Sequence, residues 1–330
     1  MKKIFLVSFL IILLGIFLLK FTPDANEINN QPPPKRVWIV KSVDTMKYSR
    51  DLTGEKLGDP TFDQTIDLHT RSIADTGATH VAIGTPYDEK FIPYLTRWIQ
   101  AARSHGLKVW FRGNFSGWEG WFGAKKNLTR SEHLDLMRQF INKNGALFDQ
   151  GDIFSPCPEC ENGVAGDPRK TGDVSGFRKF MIDEHQAANA EFRKIGKNVR
   201  IVGSMNYDVA ALVMDEATAN AVGNLIVIDH YVKSPQDLAA DITKIALKTK
   251  ANVMLGELGV PIPDIHGKLT EEEQGQWLEE AMSLIVKDES VIGINYWVGY
   301  GGSTAIFAND GTKKPAAQIL EKYFSLANLD

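Results

Sequence analysis

Residues 225–257 read LIVIDHYVKSPQDLAADITKIALKTKANVMLGE. A strand-like segment, Leu225 to Asp229, apolar up to Ile228, leads into a helix-like segment, Gln236 to Thr249, and then into a second strand-like segment, Asn252 to Leu255, apolar from Val253. Strands that are apolar throughout, rather than alternating, are those buried on both faces of a parallel sheet. A strand, a helix and a second strand in this order predict a parallel crossover unit.

The same unit recurs on both sides of this stretch. Further strands are predicted at Val37 to Val43, Thr79 to Ile83, Leu107 to Phe111, Asp152 to Ser155, Val199 to Ser204 and Val291 to Tyr296. Helices are predicted at Thr61 to Thr76, with Ile66, Ile73 and Ala74 on one face, and at Glu89 to His105, Ser131 to Asn144 and Gly176 to Ile195. Others follow near Val209 to Ala219, at Thr270 to Lys287 and at Lys314 to Phe324. Thr270 with Glu273 forms a capping box, and Ser131 offers an N-cap. Acidic residues within Asp63 to Asp75 suit a solvated outer face. Eight such units in roughly 290 residues predict an α/β fold of the (β/α)8 TIM barrel type. An open doubly wound sheet would carry a Gly-rich phosphate turn after its first strand, and Val43-Asp44-Thr45-Met46 has none.

Composition agrees with a globular enzyme-sized domain. The 330 residues are 43% hydrophobic and 24% charged, proportions that exclude disorder, collagen and coiled coil for the bulk of the chain. With 37 Lys+Arg against 41 Asp+Glu, the formal charge is −4, and a dedicated nucleic-acid binder would carry a basic excess.

The N-terminus reads differently. Met1-Lys2-Lys3 precedes an apolar run, Ile4 to Leu19, broken only by Ser8 and Gly15 and closed by Lys20, Phe21 and Thr22-Pro23. Residues 1–22 are expected to be a signal peptide or a membrane anchor. No small-x-small cleavage site follows, which favours an uncleaved anchor with Lys2 and Lys3 in the cytoplasm and the rest outside. Residues 23–36, with Pro32-Pro33-Pro34, form a Pro-rich linker, and residues 37–330 form the barrel catalytic domain. The protein is expected to be extracytoplasmic, membrane-anchored or secreted.

Cys157 and Cys160, in Cys-Pro-Glu-Cys, admit three readings: a redox pair, half of a zinc site, or a local disulfide. No second Cys pair completes a zinc site, and the context is not thioredoxin-like. Export favours a disulfide that staples a loop, with free thiols or a metal as the other readings.

In a barrel of this kind the chemistry lies at the carboxyl ends of the strands. Those ends carry Lys41 and Asp44; Thr85, Pro86 and Tyr87; Arg112, Asn114, Trp118 and Trp121; Glu159, Glu161 and Asn162; Asn206 and Tyr207; Asp229, His230 and Tyr231; Glu257; and Trp297 and Tyr300. A ring of carboxylates, aromatics and amides suits a sugar: aromatic faces pack on a pyranose, amides and charges bond its hydroxyls, and two carboxylates supply acid and nucleophile. A Glu ending an apolar strand is costly without a purpose.

Several strand-end motifs carry a family resemblance. They are Leu255-Gly256-Glu257-Leu258-Gly259, Asn295-Tyr296-Trp297, His230-Tyr231, and Asn309-Asp310-Gly311-Thr312 followed by Lys314-Pro315-Ala316. In these the chain resembles the clan A glycoside hydrolases, the barrel superfamily of cellulases, mannanases and related retaining enzymes. The resemblance implies Glu257 as nucleophile, a Tyr231 that touches it and a Trp297 that stacks on the sugar. The clan's fourth strand usually ends in Asn-Glu, the Glu being acid/base. Here it gives Cys157-Pro158-Glu159-Cys160-Glu161-Asn162, so the acid/base is Glu159 or Glu161, with Glu159 nearer the strand end. Asn206 or Asn114 could supply the hydrogen bond of the missing Asn.

The expectation is a glycosidase, in which Glu257, Glu159 and Glu161 provide the catalytic carboxylates. Trp297, Tyr231, His230, Asn206, Arg112, Asn114 and Trp118 line the substrate. A carbohydrate is the expected partner of a monomer held to the membrane by its N-terminal segment, with no nucleic acid, no cofactor and no metal. Two other readings are an inactive carbohydrate-binding barrel and a metal-dependent barrel hydrolase.

Overall fold

The computed structural model describes residues 38–115, 123, 125, 128–163 and 165–326. The expected signal or anchor, the linker, Trp118 and Trp121 lie outside the described residues. Strands run at Val40–Asp44 (β1), His80–Ile83 (β2), Lys108–Phe111 (β3), Ile153–Phe154 (β4), Arg200–Ile201 (β5), Ser204–Asn206 (β6), Leu225–Asp229 (β7), Asn252–Leu258 (β8) and Val291–Tyr296 (β9). All pair in parallel, in the order β5-β4-β3-β2-β1-β9-β8-β7-β6.

The strand predicted at Val199 to Ser204 is the only one that divides. Its first part, β5, pairs with β4, and its second, β6, pairs with β7. Only Val202 and Gly203 separate the two parts, so the outer edges of the sheet meet there and the sheet closes into an α/β barrel with eight strand positions. Closure removes the unpaired edges that an open sheet exposes.

Side chains alternate across each strand, and this sorts the core. Val40, Ala82, Trp110, Ile153, Val202, Val227 and Met254 pack together as an apolar plug inside the barrel. The alternate residues, among them Val43, Val81, Val109, Ile226, Ile228 and Val253, join the layer between sheet and helices. Each fully buried aliphatic side chain contributes about 1.5–3 kcal/mol relative to an exposed one. Toward the carboxyl ends of the strands the interior turns polar. Asp44 follows Val40 by four residues, and Arg112 and Asp229 follow Trp110 and Val227 by two.

The helices form close to their predicted places, with physical reasons for the differences. The capping box at Thr270 and Glu273 opens the helix Glu271–Ile285. The expected N-cap Ser131 lies inside the helix Arg130–Lys143, because Thr129 has extended backbone and its own capping partner in Glu132. The helix expected near Val209 to Ala219 is two, Tyr207–Val213 and Glu216–Ala221. Asp215 adopts extended backbone between them and accepts a hydrogen bond from the Thr218 N–H, which restarts the helix. The helix Asp63–Ala74 buries Ile66 and Ile73 as expected. Among the described residues no helix is long and apolar enough to cross a membrane. Cys157 and Cys160 are joined in a disulfide, which removes the free-thiol and zinc-ligand readings from this structure.

Candidate active site

The polar upper layer is built around one cation. Arg112, one residue past β3, has a side chain with no solvent exposure. Its Nη1 donates to Asp44 Oδ2 at 2.8 Å and to the Gly256 carbonyl at 3.1 Å. Its Nη2 donates to Glu257 Oε1 at 2.8 Å and reaches Asp229 Oδ2 at 3.3 Å. The strand ends of β1, β3, β7 and β8 thus converge on a single guanidinium. Burial works against its charge, but Glu257, Asp229 and Asp44 together keep it protonated. Arg112, expected to pair a structural Asp or to touch substrate or nucleophile, bonds Asp44 and Glu257 and anchors these carboxyls.

The three carboxyls are not equivalent. Asp44 also accepts from the Met46 N–H at 2.7 Å and from Asn295 Nδ2 at 3.1 Å. Burial raises its pKa, and Arg112 and these donors pull it back down. Asp229 has the long contact to Arg112, and its Oδ1 is buried without a hydrogen-bond partner among the described residues. Burial, followed by the neighbouring Glu257 charge, raises its pKa well above the ordinary carboxyl value. A Cβ at position 256 would come within 2.2 Å of Asp229 Oδ1, so only glycine fits before Glu257.

Glu257 receives one donor on each oxygen: Arg112 on Oε1 and the Tyr231 hydroxyl on Oε2 at 2.6 Å. Its 8% residual exposure marks it as reachable from the opening. Two donors, one on each oxygen, fix the orientation of the carboxyl group.

Glu159 is half-buried and faces it, with carboxyl oxygens of Glu159, Asp229 and Glu257 all within 4.8 Å of one another. Glu161 does not share that opening. It is buried, and its Oε1 accepts both the Asn206 backbone N–H at 2.7 Å and Asn206 Nδ2 at 2.9 Å. Burial raises its pKa, against the pull of those Asn206 donors. Asn206 is thereby oriented from behind by Glu161.

His230, expected on the substrate, turns away, because alternation along the chain sends it to the side opposite Asp229 and Tyr231. Its Nε2 bonds Asp241 Oδ2 at 2.9 Å on the helix Pro235–Thr249, and its ring stacks on Tyr207 with centroids 4.3 Å apart. It supports the segment that carries Tyr231. Lys41 likewise points outward, its Nζ donating to the Phe324 carbonyl at 2.8 Å. Asn114 is half-buried and its carbonyl accepts from the Tyr87 N–H at 3.1 Å. Trp297 is half-buried at the rim, its peptide bond to Val298 is cis, and the Lys47 ammonium lies 5.9 Å from its ring centroid.

Sequence reading missed the joint role of Asp44, Asp229, Gly256 and Asn295. The signal was available as alternation for Asp44, Asp229 and Gly256, which lie an even number of residues beyond the interior Val40, Val227 and Met254 of their own strands. As a metal site the three-carboxyl group is compromised by Arg112, a fixed cation that already occupies one oxygen each of Asp229 and Glu257. A second grouping, of His133, Cys157 and Glu184, offers a sulfur already committed to a disulfide. What remains is a carboxyl group oriented by two donors, Glu257, facing the half-buried Glu159.

No protein-family model matches the chain, and no curated protein matches it in sequence. Solved structures do resemble it in fold. A fungal β-1,4-galactanase superposes with a TM-score of 0.60 at 13% identity, over 85% of this chain and 98% of the galactanase. A β-mannanase from Alicyclobacillus acidocaldarius gives 0.55 at 15% identity, over 79% and 91%. A xyloglucanase from Bacteroides ovatus gives 0.56 at 14% identity, over 78% and 67%. The resemblance to the clan A glycoside hydrolases, carried in sequence by the strand-end motifs, thus holds at the level of fold.

Proposed function

We propose that the protein is a glycoside hydrolase that cleaves O-glycosidic bonds of a poly- or oligosaccharide with retention of configuration. The observation that carries this reading is the approach of Glu159 and Glu257 carboxyl oxygens to within 4.8 Å. Retaining enzymes hold their carboxyl groups about 5–5.5 Å apart, and inverting enzymes hold them more than about 6.5 Å apart to admit a water. Glu257, oriented by Arg112 and Tyr231, attacks the anomeric carbon while Glu159 protonates the leaving oxygen. Glu159, now a carboxylate, then takes a proton from water as that water releases the glycosyl group from Glu257. Trp297 offers its face to the sugar, and Asn206, steered by Glu161, offers an amide group to a hydroxyl.

The galactanase, mannanase and xyloglucanase folds support a carbohydrate substrate. The Cys157–Cys160 disulfide supports an extracytoplasmic setting, where such bonds persist. The N-terminal segment would tether the enzyme to the membrane.

The test is a panel of 2-deoxy-2-fluoro glycosides reacted with the protein and read by intact and peptide mass spectrometry. A glycosyl adduct on Glu257 supports the reading and names the sugar class. No adduct with any sugar, together with no turnover of polysaccharides, sinks it in favour of a barrel that only binds carbohydrate.

A further inference from the structure

The carboxylate proposed as acid/base lies inside a covalent ring. Cys157, Pro158, Glu159 and Cys160 are closed by the disulfide, with Cα atoms of the two cysteines 5.1 Å apart. A strand ladder cannot fix Glu159 directly. β4 is only two residues long, and its last rung is the Ser155 N–H to the Phe111 carbonyl at 2.8 Å. The next rung reaches across to the other side: the Glu159 N–H donates to the Ser204 carbonyl of β6 at 2.9 Å. Between the two rungs the chain has left the sheet, and the disulfide ties Cys157, inside that gap, to Cys160, just past the second rung.

Glu159 also has left-handed backbone, with φ 47° and ψ 50°. A residue with a side chain adopts that region only when its surroundings impose it. Here the ring, the Ser204 contact and the Asn162 N–H donating back to the Glu159 carbonyl at 2.9 Å impose it together. Asn162 Nδ2 also donates to Glu159 Oε2 at 3.1 Å.

The ring is itself anchored. Both cysteines are buried in the core between sheet and helices. Cys157 Sγ lies within 4.8 Å of a His133 ring nitrogen and a Glu184 carboxylate oxygen, and His133 Nε2 and Glu184 Oε1 are 2.7 Å apart. Those two side chains come from the helices Arg130–Lys143 and Val174–Lys194, so the ring is referenced to the outer layer of the barrel as well as to the sheet.

We propose that Cys157 and Cys160 are positioning residues for proton donation: their disulfide holds Glu159 opposite Glu257, and opening it uncouples acid assistance from nucleophilic attack. The inference rests on the glycosidase reading above. The bridge opens by taking two electrons and two protons from a dithiol, which is left as its own disulfide, and reoxidation reverses the step.

The experiment compares aryl β-glycosides of galactose, mannose and glucose carrying either a dinitrophenyl or a phenyl leaving group. Dinitrophenolate departs without a proton, whereas phenolate needs one. The full-length protein is assayed oxidised, after reduction with dithiothreitol and alkylation, and as the double variant Cys157→Ser, Cys160→Ser. Near-UV circular dichroism reports the fold of each. The expected result is a fall in kcat/KM of about 10²-fold or more on the phenyl glycoside, the scale of general acid catalysis. The dinitrophenyl glycoside should lose less than about a tenth of that factor, and reoxidation before alkylation should restore both. Equal losses on the two substrates, or no loss on either, overturn the proposal. So does loss of the fold in both opened forms, which would make the bridge a staple of the fold. If the oxidised wild type forms no 2-fluoro glycosyl adduct and turns over neither substrate, the glycosidase reading has failed, and this inference falls with it.

Discussion

The Tyr231 hydroxyl donates to Glu257 Oε2 at 2.6 Å, from two residues past the end of β7, the strand next to the one that carries Glu257. That contact and the Arg112 contact on the other oxygen together orient one carboxyl group. Removing the hydroxyl alone should be felt in catalysis rather than in folding. A hydrogen bond to a charged group contributes about 1.5–3 kcal/mol. Tyr231→Phe should therefore lower kcat/KM by about 10- to 100-fold. Steady-state kinetics on an aryl glycoside checks it, and a change of less than about 3-fold would mean that the contact does not act on the reacting carboxylate.

Arg112 should behave in the opposite way, as a residue of the fold first. Arg112→Met would leave Asp44 and Glu257 buried without their cation. Breaking a buried pair from one side costs about 3–5 kcal/mol. The expected outcome in urea denaturation is a large fall in the midpoint with the slope preserved; a fall of under about 1 kcal/mol would contradict the central placement of Arg112.

Glu159 and Glu161 separate cleanly. Glu159→Gln removes the group facing Glu257 and should cost about 10²-fold or more on substrates with poor leaving groups. Glu161→Gln keeps an acceptor oxygen for the Asn206 N–H and should cost less than about 10-fold, expressed mainly in KM. The reverse ranking would assign the acid/base role to Glu161.

Asp229 gives a prediction in pH. Burial and then Glu257 raise its folded pKa well above its ordinary value of 3.8. The unfolded chain releases the proton near that ordinary value, so above it folding must take a proton back. Wild-type stability is therefore undiminished by this group below about pH 4 and eroded as pH rises, by up to about 1.4 kcal/mol per pH unit until the folded pKa is reached. Asp229→Asn carries no proton to take back. Its stability relative to wild type should rise as pH climbs above about 4, and the difference should shrink toward the acid end. Urea titrations across that range check it, and a pH-independent difference would mean that Asp229 is ionised in the fold.

The capping boxes supply a test far from the site. Thr270→Ala and Thr129→Ala each remove a side-chain acceptor from a helix start. Each should cost about 1 kcal/mol of stability and leave kcat unchanged. A kinetic effect from either would show that its helix is coupled to the opening.

Much of the architecture was legible in local pattern. Strands such as Leu225–Asp229 and Val291–Tyr296 keep their expected bounds, because burial on both faces calls for predominantly apolar residues, with Asp229 and Asn295 entering only at the carboxyl ends. The divided fifth strand was not legible, since its halves differ only in which neighbour they pair with. The second helix start at Asp215 was missed because Asp215 was read as part of a continuous helical segment, although Asp is a preferred N-cap.

Within the site, the sequence by itself determined which residues stand at strand ends, and the motif around Glu257 marked that carboxylate for attention. It also placed two cysteines around Glu159. Only the tertiary structure decided that His230 faces a helix, that Glu161 is spent on Asn206, and that Asp44, Asp229 and Glu257 share one guanidinium. Those three carboxyls lie as many as 213 positions apart in the chain (257 minus 44). Local propensity acts over a few residues, whereas their protonation depends on separations of a few ångströms that exist only once the barrel has closed.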